Sequence, residues 1–171
     1  NTNVVNRITV EKAIEIFLRN CLVKNLSAET QNYYKENCNL FKSLINVEYI
    51  DEVTRDIVED FIFLEKQTIK KVTTINTELR AIHAFLYFCM EREFLPYFKV
   101  KLLKCDIVEK VPYTDTELID LLEKPKTTRW TTWRNWAIEN YLLATGNRIG
   151  TARNMKIKDL DFQNNLIKLS S

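Results

Sequence analysis

One stretch of the sequence decides the fold class: TTINTELRAIHAFLYFC, from Thr73 to Cys89. Its apolar side chains recur every three or four positions, at Ile75, Leu79, Ile82, Leu86 and Cys89. This period is that of an α-helix with one buried face, so we predict a helix that starts near Thr73 or Thr74. On its opposite face it would carry Asn76, Arg80 and His83.

The same spacing predicts three further helices in the residues before this one. The first follows Thr9, and the others begin near Ser27 and at Thr54, which are residue types that cap helices well. The apolar stripes are Val10, Ala13, Ile14, Phe17 and Cys21; Tyr34, Cys38, Phe41 and Ile45; and Ile57, Val58, Phe61 and Ile62. Because the connections are short, the four helices are predicted to form one compact bundle over residues 1–96.

Beyond the bundle, residues 97–112 lack helical spacing and accumulate lysines, so we interpret them as an interdomain linker. A capping box at Thr114-Asp115-Thr116-Glu117 predicts the start of another helix. The next helix spans about Thr131 to Ala144. Its inner side would consist of Trp133, Trp136, Ala137, Asn140 and Tyr141.

Two short strands are predicted at the end of the chain, around Asp161-Phe162 and Leu166–Leu169, with a turn at Gln163-Asn164-Asn165. A lone two-stranded hairpin is marginal in water. We therefore expect the second domain, residues 113–171, to be incomplete.

The composition excludes several classes of protein. With 46% apolar and 28% charged residues, the chain is not intrinsically disordered, and its two glycines and three prolines disfavour a β-barrel or sandwich. No apolar run approaches the roughly 18 residues of a membrane span, and no signal peptide is visible. Four scattered cysteines without a CxxC pair, and a single histidine, indicate reduced structural thiols in a cytoplasmic protein rather than a zinc or redox protein.

The net charge of +2 conceals an uneven distribution. Residues 66–110 hold nine basic and five acidic side chains, and residues 124–158 hold eight basic and one acidic. Acidic segments, 1–65 and 111–123, alternate with them. Two interpretations stay open: a protein that grips a polyanion from two sides, or ordinary solvated helix faces.

Four motifs occur along the chain in a particular order and spacing. They are Ser27-Ala28-Glu29-Thr30 with Tyr33-Tyr34; Thr74-Ile75-Asn76 through Arg80 to Phe94-Leu95-Pro96; Val111-Pro112-Tyr113-Thr114-Asp115-Thr116-Glu117-Leu118; and Ala144-Thr145-Gly146-Asn147-Arg148-Ile149 followed by residues 154–161. Together they resemble the phage integrase, or tyrosine recombinase, family over nearly the whole chain. This resemblance implies a mainly α fold, with a four-helix SAM-like core-binding bundle followed by a truncated α+β catalytic domain.

The resemblance also implies a mechanism and partners. A tyrosine would attack a DNA phosphodiester to give a 3′-phosphotyrosyl link, and a second strand's 5′-hydroxyl would reverse the attack without a cofactor or metal. Arg148 matches the family's arginine that contacts the scissile phosphate, where a guanidinium presents paired donors to the oxygens. The partner would be double-stranded DNA, and the parent protein would assemble as a homotetramer on paired sites.

Two departures from the family pattern affect the active site. Thr151 stands where the family usually has an acidic residue, and the sequence ends before the hairpin lysine, the His-x-x-Arg pair and the nucleophilic tyrosine. We therefore expect this chain by itself to bind DNA without cutting it. Gly146 is expected to let the backbone approach a phosphate.

The candidate DNA-binding residues are basic or hydroxyl-bearing side chains, with one asparagine. They are Ser27, Thr30, Lys70, Lys71, Thr73, Thr74, Asn76 and Arg80 in the bundle, Lys99, Lys101 and Lys104 in the linker, and Arg153 and Lys156 in the second domain. Asn76 and Arg80 would reach base edges, whereas the lysines would bind backbone phosphates. For each of them, an ordinary capped helix or solvated surface remains the alternative.

Two other functions stay open at this point. A non-catalytic DNA-binding regulator derived from a recombinase would share the DNA surface and lack the chemistry. A helical protein-interaction module would bind no DNA at low salt, and Lys70→Glu with Lys71→Glu would leave its activity intact.

Overall fold

The computed structural model describes residues 7–105, 109–164 and 166–168. Within these residues the chain is mainly α-helical, as predicted. The helices are α1 (Val10–Val23), α2 (Ala28–Leu44), α3 (Arg55–Lys66), α4 (Val72–Glu91), α5 (Asp115–Leu121), α6 (Trp130–Thr145) and α7 (Ile149–Asn154). Short 3-10 turns lie at Ile50–Glu52 and Ile157–Asp159, and β1 (Leu160–Asp161) pairs antiparallel with β2 (Leu166–Ile167).

The chain divides into two compact units, and the division falls within residues 106–108, which lie outside the described residues. Residues 97–105, part of the predicted linker, lie in the first unit. Val100 is buried there and Leu103 packs against the core. Apolar side chains between the lysines attach this segment to the bundle.

The first unit is built around α4, which contacts α1, α2 and α3. The predicted stripe of α4 is confirmed, because Ile75, Leu79, Ile82, Leu86 and Cys89 are all buried. Phe17 packs against Phe85 with ring centroids 5.6 Å apart, and Phe41 packs edge-on against Phe61 at 5.3 Å. The core therefore joins all four helices.

Local signals in the sequence set where these helices begin. The hydroxyls of Thr9, Ser27 and Thr54 accept hydrogen bonds from backbone N–H groups in the first turns of α1, α2 and α3. Helix α4 differs, since it starts at Val72 after Lys71, whose side chain makes no capping hydrogen bond. Its start is slightly earlier than predicted because Thr73 and Thr74 lie inside the first turn rather than capping it.

The cysteines of the bundle are small core residues, as expected. Cys21, Cys38 and Cys89 are free and buried, whereas Cys105 is exposed. Burial raises the pKa of the Cys89 thiol to about 12, so this thiol stays protonated at neutral pH.

The second unit has well-formed helices, but its side chains are at most half-buried. The predicted capping box is present, with Thr114 Oγ1 accepting from Glu117 N–H and the Glu117 carboxylate accepting from Thr114 N–H. Trp133 and Trp136 are half-buried and donate their Nε1–H groups to the carbonyls of Thr127 and Leu122. Among the described residues of this unit none is buried, and Ala137 is exposed rather than inward-facing.

The hairpin that closes the second unit has the predicted turn. Asp161 Oδ1 accepts from the N–H groups of Gln163 and Asn164, at 3.1 Å each. Asn165 and Leu169, which belong to the predicted turn and strand, lie outside the described residues. In the described part of the chain, no helix combines the length and apolarity needed to span a bilayer.

Candidate nucleic-acid interface

An exposed polar stripe runs along the first half of α4. Thr73, Thr77 and Arg80 are exposed and follow the helical spacing of four and three, so they lie on one face. We call these three residues the α4 stripe. The Tyr33 hydroxyl of α2 donates a hydrogen bond to the Thr77 carbonyl, which holds α2 beside the stripe.

The start of α2 carries the two hydroxyl residues predicted from sequence. Ser27 Oγ accepts from Thr30 N–H at 3.2 Å and lies 3.1 Å from Thr30 Oγ1. Ser27 is exposed and Thr30 is half-buried. Both hydroxyls thus serve the helix cap, and Ser27 is open to solvent.

The two lysines before α4 have different environments. Lys70 Nζ bonds the carboxylates of Glu65 and Glu78, and these side chains are only 3% and 11% exposed. Burial lowers the pKa of Lys70, but its bonds to both glutamates outweigh this effect and raise the pKa above its usual value. The Lys70 side chain is 32% exposed, but its ammonium group is bonded to two carboxylates of the protein, whereas Lys71 and Thr74 are exposed and Lys71 makes no ion pair among the described residues.

Asn76 is also placed differently from its sequence expectation. It is 3% exposed, its Nδ2 donates to the Leu103 carbonyl at 2.8 Å, and its Oδ1 accepts from Leu103 N–H at 2.7 Å. Because both halves of the amide are engaged within the protein, the expected contact with base edges is not available. The physical reason is helical phase, since Asn76 lies on the flank of α4 that is covered by residues 97–105.

The lysines after the bundle are held on its surface. Lys99, Lys101 and Lys104 are exposed, while the intervening Val100 is buried. We call residues 97–105 the lysine segment.

In the second unit, Arg148 is the N-cap residue of α7 and is exposed. Within the described residues, its guanidinium makes neither an ion pair nor a side-chain hydrogen bond. Gly146 ends α6 with a φ of +66°, and its N–H donates to the Leu142 carbonyl at 2.8 Å. Glycine is needed there because the helix ends in a left-handed conformation.

A shallow pocket of about 290 Å³ lies beside Arg148. Its lining consists of Arg148, Gly150, Thr151, Asn154, Met155, Asp159 and Lys168. Asp159 Oδ2 accepts from Lys156 N–H at 2.9 Å. Arg148 and Lys168 are the basic residues of the lining. Arg153 and Lys156 are exposed and do not belong to it.

Sequence reasoning missed three residues of these surfaces. Thr77 lies four positions after Thr73 and three before Arg80, so helical periodicity contained the signal. Tyr33 and Lys168 reach their places through packing and strand pairing, which periodicity does not encode. No group of three or more metal-ligating side chains was found in the described ranges.

Comparison with known proteins relates this geometry to a family. No protein-family model matches the chain. A tyrosine recombinase, XerC from Chlamydia muridarum (strain MoPn / Nigg), is 23% identical over 119 residues, which cover 68% of this chain and 38% of that protein. The solved structure of the Tn1549 transposon integrase in complex with a circular intermediate DNA matches with a TM-score of 0.75 at 22% identity, covering 94% of this chain and 52% of that chain.

These similarities support a relationship between the chain and the phage integrase, or tyrosine recombinase, family. The fold is that of the Tn1549 integrase over the matched residues. The chain spans about half, or less, of the length of the proteins that it resembles.

Proposed function

We propose that the chain is the DNA-binding portion of a site-specific tyrosine recombinase or integrase. The observation that carries the proposal is the Arg148 guanidinium, exposed and without an ion-pair partner among the described residues, beside a pocket that Lys168 also lines. An unpaired arginine is suited to a phosphate, because its planar group donates two parallel hydrogen bonds to neighbouring oxygens. The shared fold and motif order support the same conclusion.

Arg148 would contribute electrostatic stabilisation in the complete protein. The phosphoryl transition state gains negative charge on its equatorial oxygens, and a guanidinium can bind that charge with two parallel hydrogen bonds. The full-length protein would cut and rejoin DNA through a 3′-phosphotyrosyl intermediate. This chain would bind the duplex, and a tetramer of the parent protein would bring paired sites together.

Most of the contacts with DNA would come from the first unit. Arg80 on the α4 stripe would reach base edges in the major groove, and the stripe's threonines would bind phosphates. Further phosphate contacts would come from Ser27, Thr30, Lys71, Thr74, Lys99, Lys101, Lys104, Arg153 and Lys156. Lys70 and Asn76 are left out because their polar atoms are bonded within the protein.

The test is duplex affinity measured by fluorescence anisotropy over a range of salt concentrations. If about five phosphates are neutralised, log K should fall against log salt with a slope near −4 to −5. Arg80→Ala should reduce the slope by about 1 if it contacts a phosphate, or relax sequence preference if it reads a base. Absence of binding at low salt, or a flat salt response, would contradict the proposal and favour a protein-interaction module.

A further inference from the structure

We propose that Asn76 is a positioning residue, whose side-chain amide holds the lysine segment against α4 and so orders its lysines for contact with duplex phosphates. The inference rests on the proposed function for the identity of the ligand. It assigns a role to an asparagine that touches no DNA itself.

The first step is the geometry of the clamp. The Asn76 amide and the Leu103 backbone exchange two hydrogen bonds, of 2.8 and 2.7 Å, and Asn76 is 3% exposed. A side-chain amide has the same donor and acceptor as a peptide group, so Asn76 pairs with Leu103 as a neighbouring strand would. An alanine lacks both groups, and an aspartate would set a carboxylate against the Leu103 carbonyl.

The second step is the path of the segment. Tyr97 packs edge-on against Tyr87 near the end of α4, with ring centroids 5.8 Å apart, while Leu103 is bonded to Asn76 near its start. The rise from Asn76 to Tyr87 is about 16 Å along a helix, and the extended chain from Tyr97 to Leu103 spans about 20 Å. The segment therefore runs antiparallel to α4, attached at both ends.

The third step is what this path exposes. Val100 is 7% exposed and anchors the middle of the segment, which leaves Lys99 and Lys101 in solvent on either side of it. Lys104 follows directly after the clamped Leu103 and is also exposed. Lys99 and Lys101 line a cavity together with Arg55 and Glu59 of α3. The clamp at Leu103 thus orders a segment that carries three exposed lysines.

Such an arrangement strengthens binding through preorganisation. Lysines on a free segment must be immobilised when they bind phosphates, and that ordering opposes association. Lysines on a segment already ordered by Asn76 lose less freedom. Loss of the clamp should therefore weaken DNA binding although no DNA contact is removed.

The experiment uses the full chain and compares Asn76→Ala with Asn140→Ala, whose amide makes a single intrahelical bond to the Trp136 carbonyl. Duplex affinity is measured at one low salt concentration, and exchange of the Leu103 amide hydrogen is followed by NMR. Asn76→Ala should speed Leu103 exchange and weaken binding by about tenfold, whereas Asn140→Ala should change neither. Leu103→Pro removes the N–H that donates to Asn76 Oδ1 without changing a residue of α4, and should also weaken binding.

A double-mutant cycle separates positioning from a merely structural role. In a chain with Lys99, Lys101 and Lys104 all changed to Gln, Asn76→Ala should have no further effect on affinity, because its influence acts through those lysines. Additive losses, or unchanged affinity of Asn76→Ala and Leu103→Pro, would overturn the inference. Failure of the unmodified chain to bind DNA would instead overturn the proposed function, and Leu103 exchange would still report on the clamp.

Discussion

Both units of this chain consist mainly of α-helices, but they differ in how many side chains are buried. The first has fully buried aromatic and aliphatic side chains such as Phe41, Phe61 and Phe85. In the described part of the second unit no residue is buried, and Val111, Ile157 and Phe162 are 92%, 83% and 76% exposed. Helices capped by a side chain occur in both units, as at Thr9 and Thr114. Local signals therefore form helices in either setting, while long-range packing distinguishes the units.

The polar residues show a parallel contrast. In the first unit, Lys70 and Asn76 resemble surface ligands in the sequence but are bonded within the protein. In the second unit, Arg148 is exposed and has no ion-pair partner among the residues described. Residue type thus indicates what chemistry a side chain offers, and its surroundings decide whether that chemistry is available to a ligand.

The largest expected effect tests the contrast in burial. Phe85→Ala should lower the free energy of unfolding by about 3–5 kcal/mol, because it leaves a cavity in a filled core. Trp136→Ala should cost less than half as much, since the ring is half-buried. Urea unfolding is followed by far-UV circular dichroism for Phe85→Ala. Tryptophan fluorescence serves for Trp136→Ala, because Trp130, Trp133 and Trp136 all lie in the second unit. Equal losses would show that the second unit is packed as tightly as the first.

A smaller effect is expected at the buried ion cluster. Lys70→Met should cost about 1–3 kcal/mol at pH 7, because it leaves the carboxylates of Glu65 and Glu78 without their cation. Lys71→Met is the matched control, and should change stability by less than about 0.5 kcal/mol because that side chain is exposed. Both are measured by urea unfolding at several pH values.

The pH dependence of the Lys70→Met loss has a definite sign. Burial already raises the pKa of Glu78, and the charge of Glu65 raises it further. A carboxyl group with a raised pKa takes up a proton more readily in the folded state, so folding gains stability as pH falls. The loss should therefore shrink as the pH is lowered towards the unfolded glutamate pKa of about 4.3. A loss that grew on acidification would contradict this account of the cluster.

The smallest effect distinguishes the two glycines of the Arg148 motif. Gly146→Ala should cost about 1 kcal/mol, because a residue with a Cβ is strained at a φ of +66°. Gly150→Ala lies inside α7 with open space around its Cβ position, so it should be neutral or stabilise by roughly 0.5–1 kcal/mol. Thermal unfolding followed by tryptophan fluorescence compares the two. Similar effects at both positions would mean that the left-handed cap does not govern this turn.

Much of the fold was predictable from the sequence. The apolar stripes of α1 and α4, the caps at Thr9, Ser27 and Thr54, and the capping box at Thr114 all appear as expected. These features depend on contacts within a few residues along the chain, which periodicity and side-chain chemistry encode. The attachment of residues 97–105 to α4 was not predicted, because it depends on an amide that lies 27 positions away from its partner.

The sequence predicted most residues of the candidate site, but it predicted less well which of them are exposed and what they contact. Arg80, Lys99 and Arg148 are exposed as a ligand-binding role requires. Thr77 and Tyr33 were missed, and the expected contact of Asn76 with bases gives way to a contact with Leu103. The assignment of individual residues to DNA contacts remains a prediction for the binding experiments.

By itself, the sequence determined the helical class, the position of most helix ends, and the placement of an arginine, Arg148, between Gly146 and Gly150. These properties follow from spacing, capping and backbone preference, which operate over one or two helical turns. Only the tertiary structure decided which polar groups form hydrogen bonds within the protein and which face solvent. That outcome depends on what packs against each helix flank. The partner of Asn76 lies 27 positions away, and Lys70 binds carboxylates on two different helices, Glu65 of α3 and Glu78 of α4.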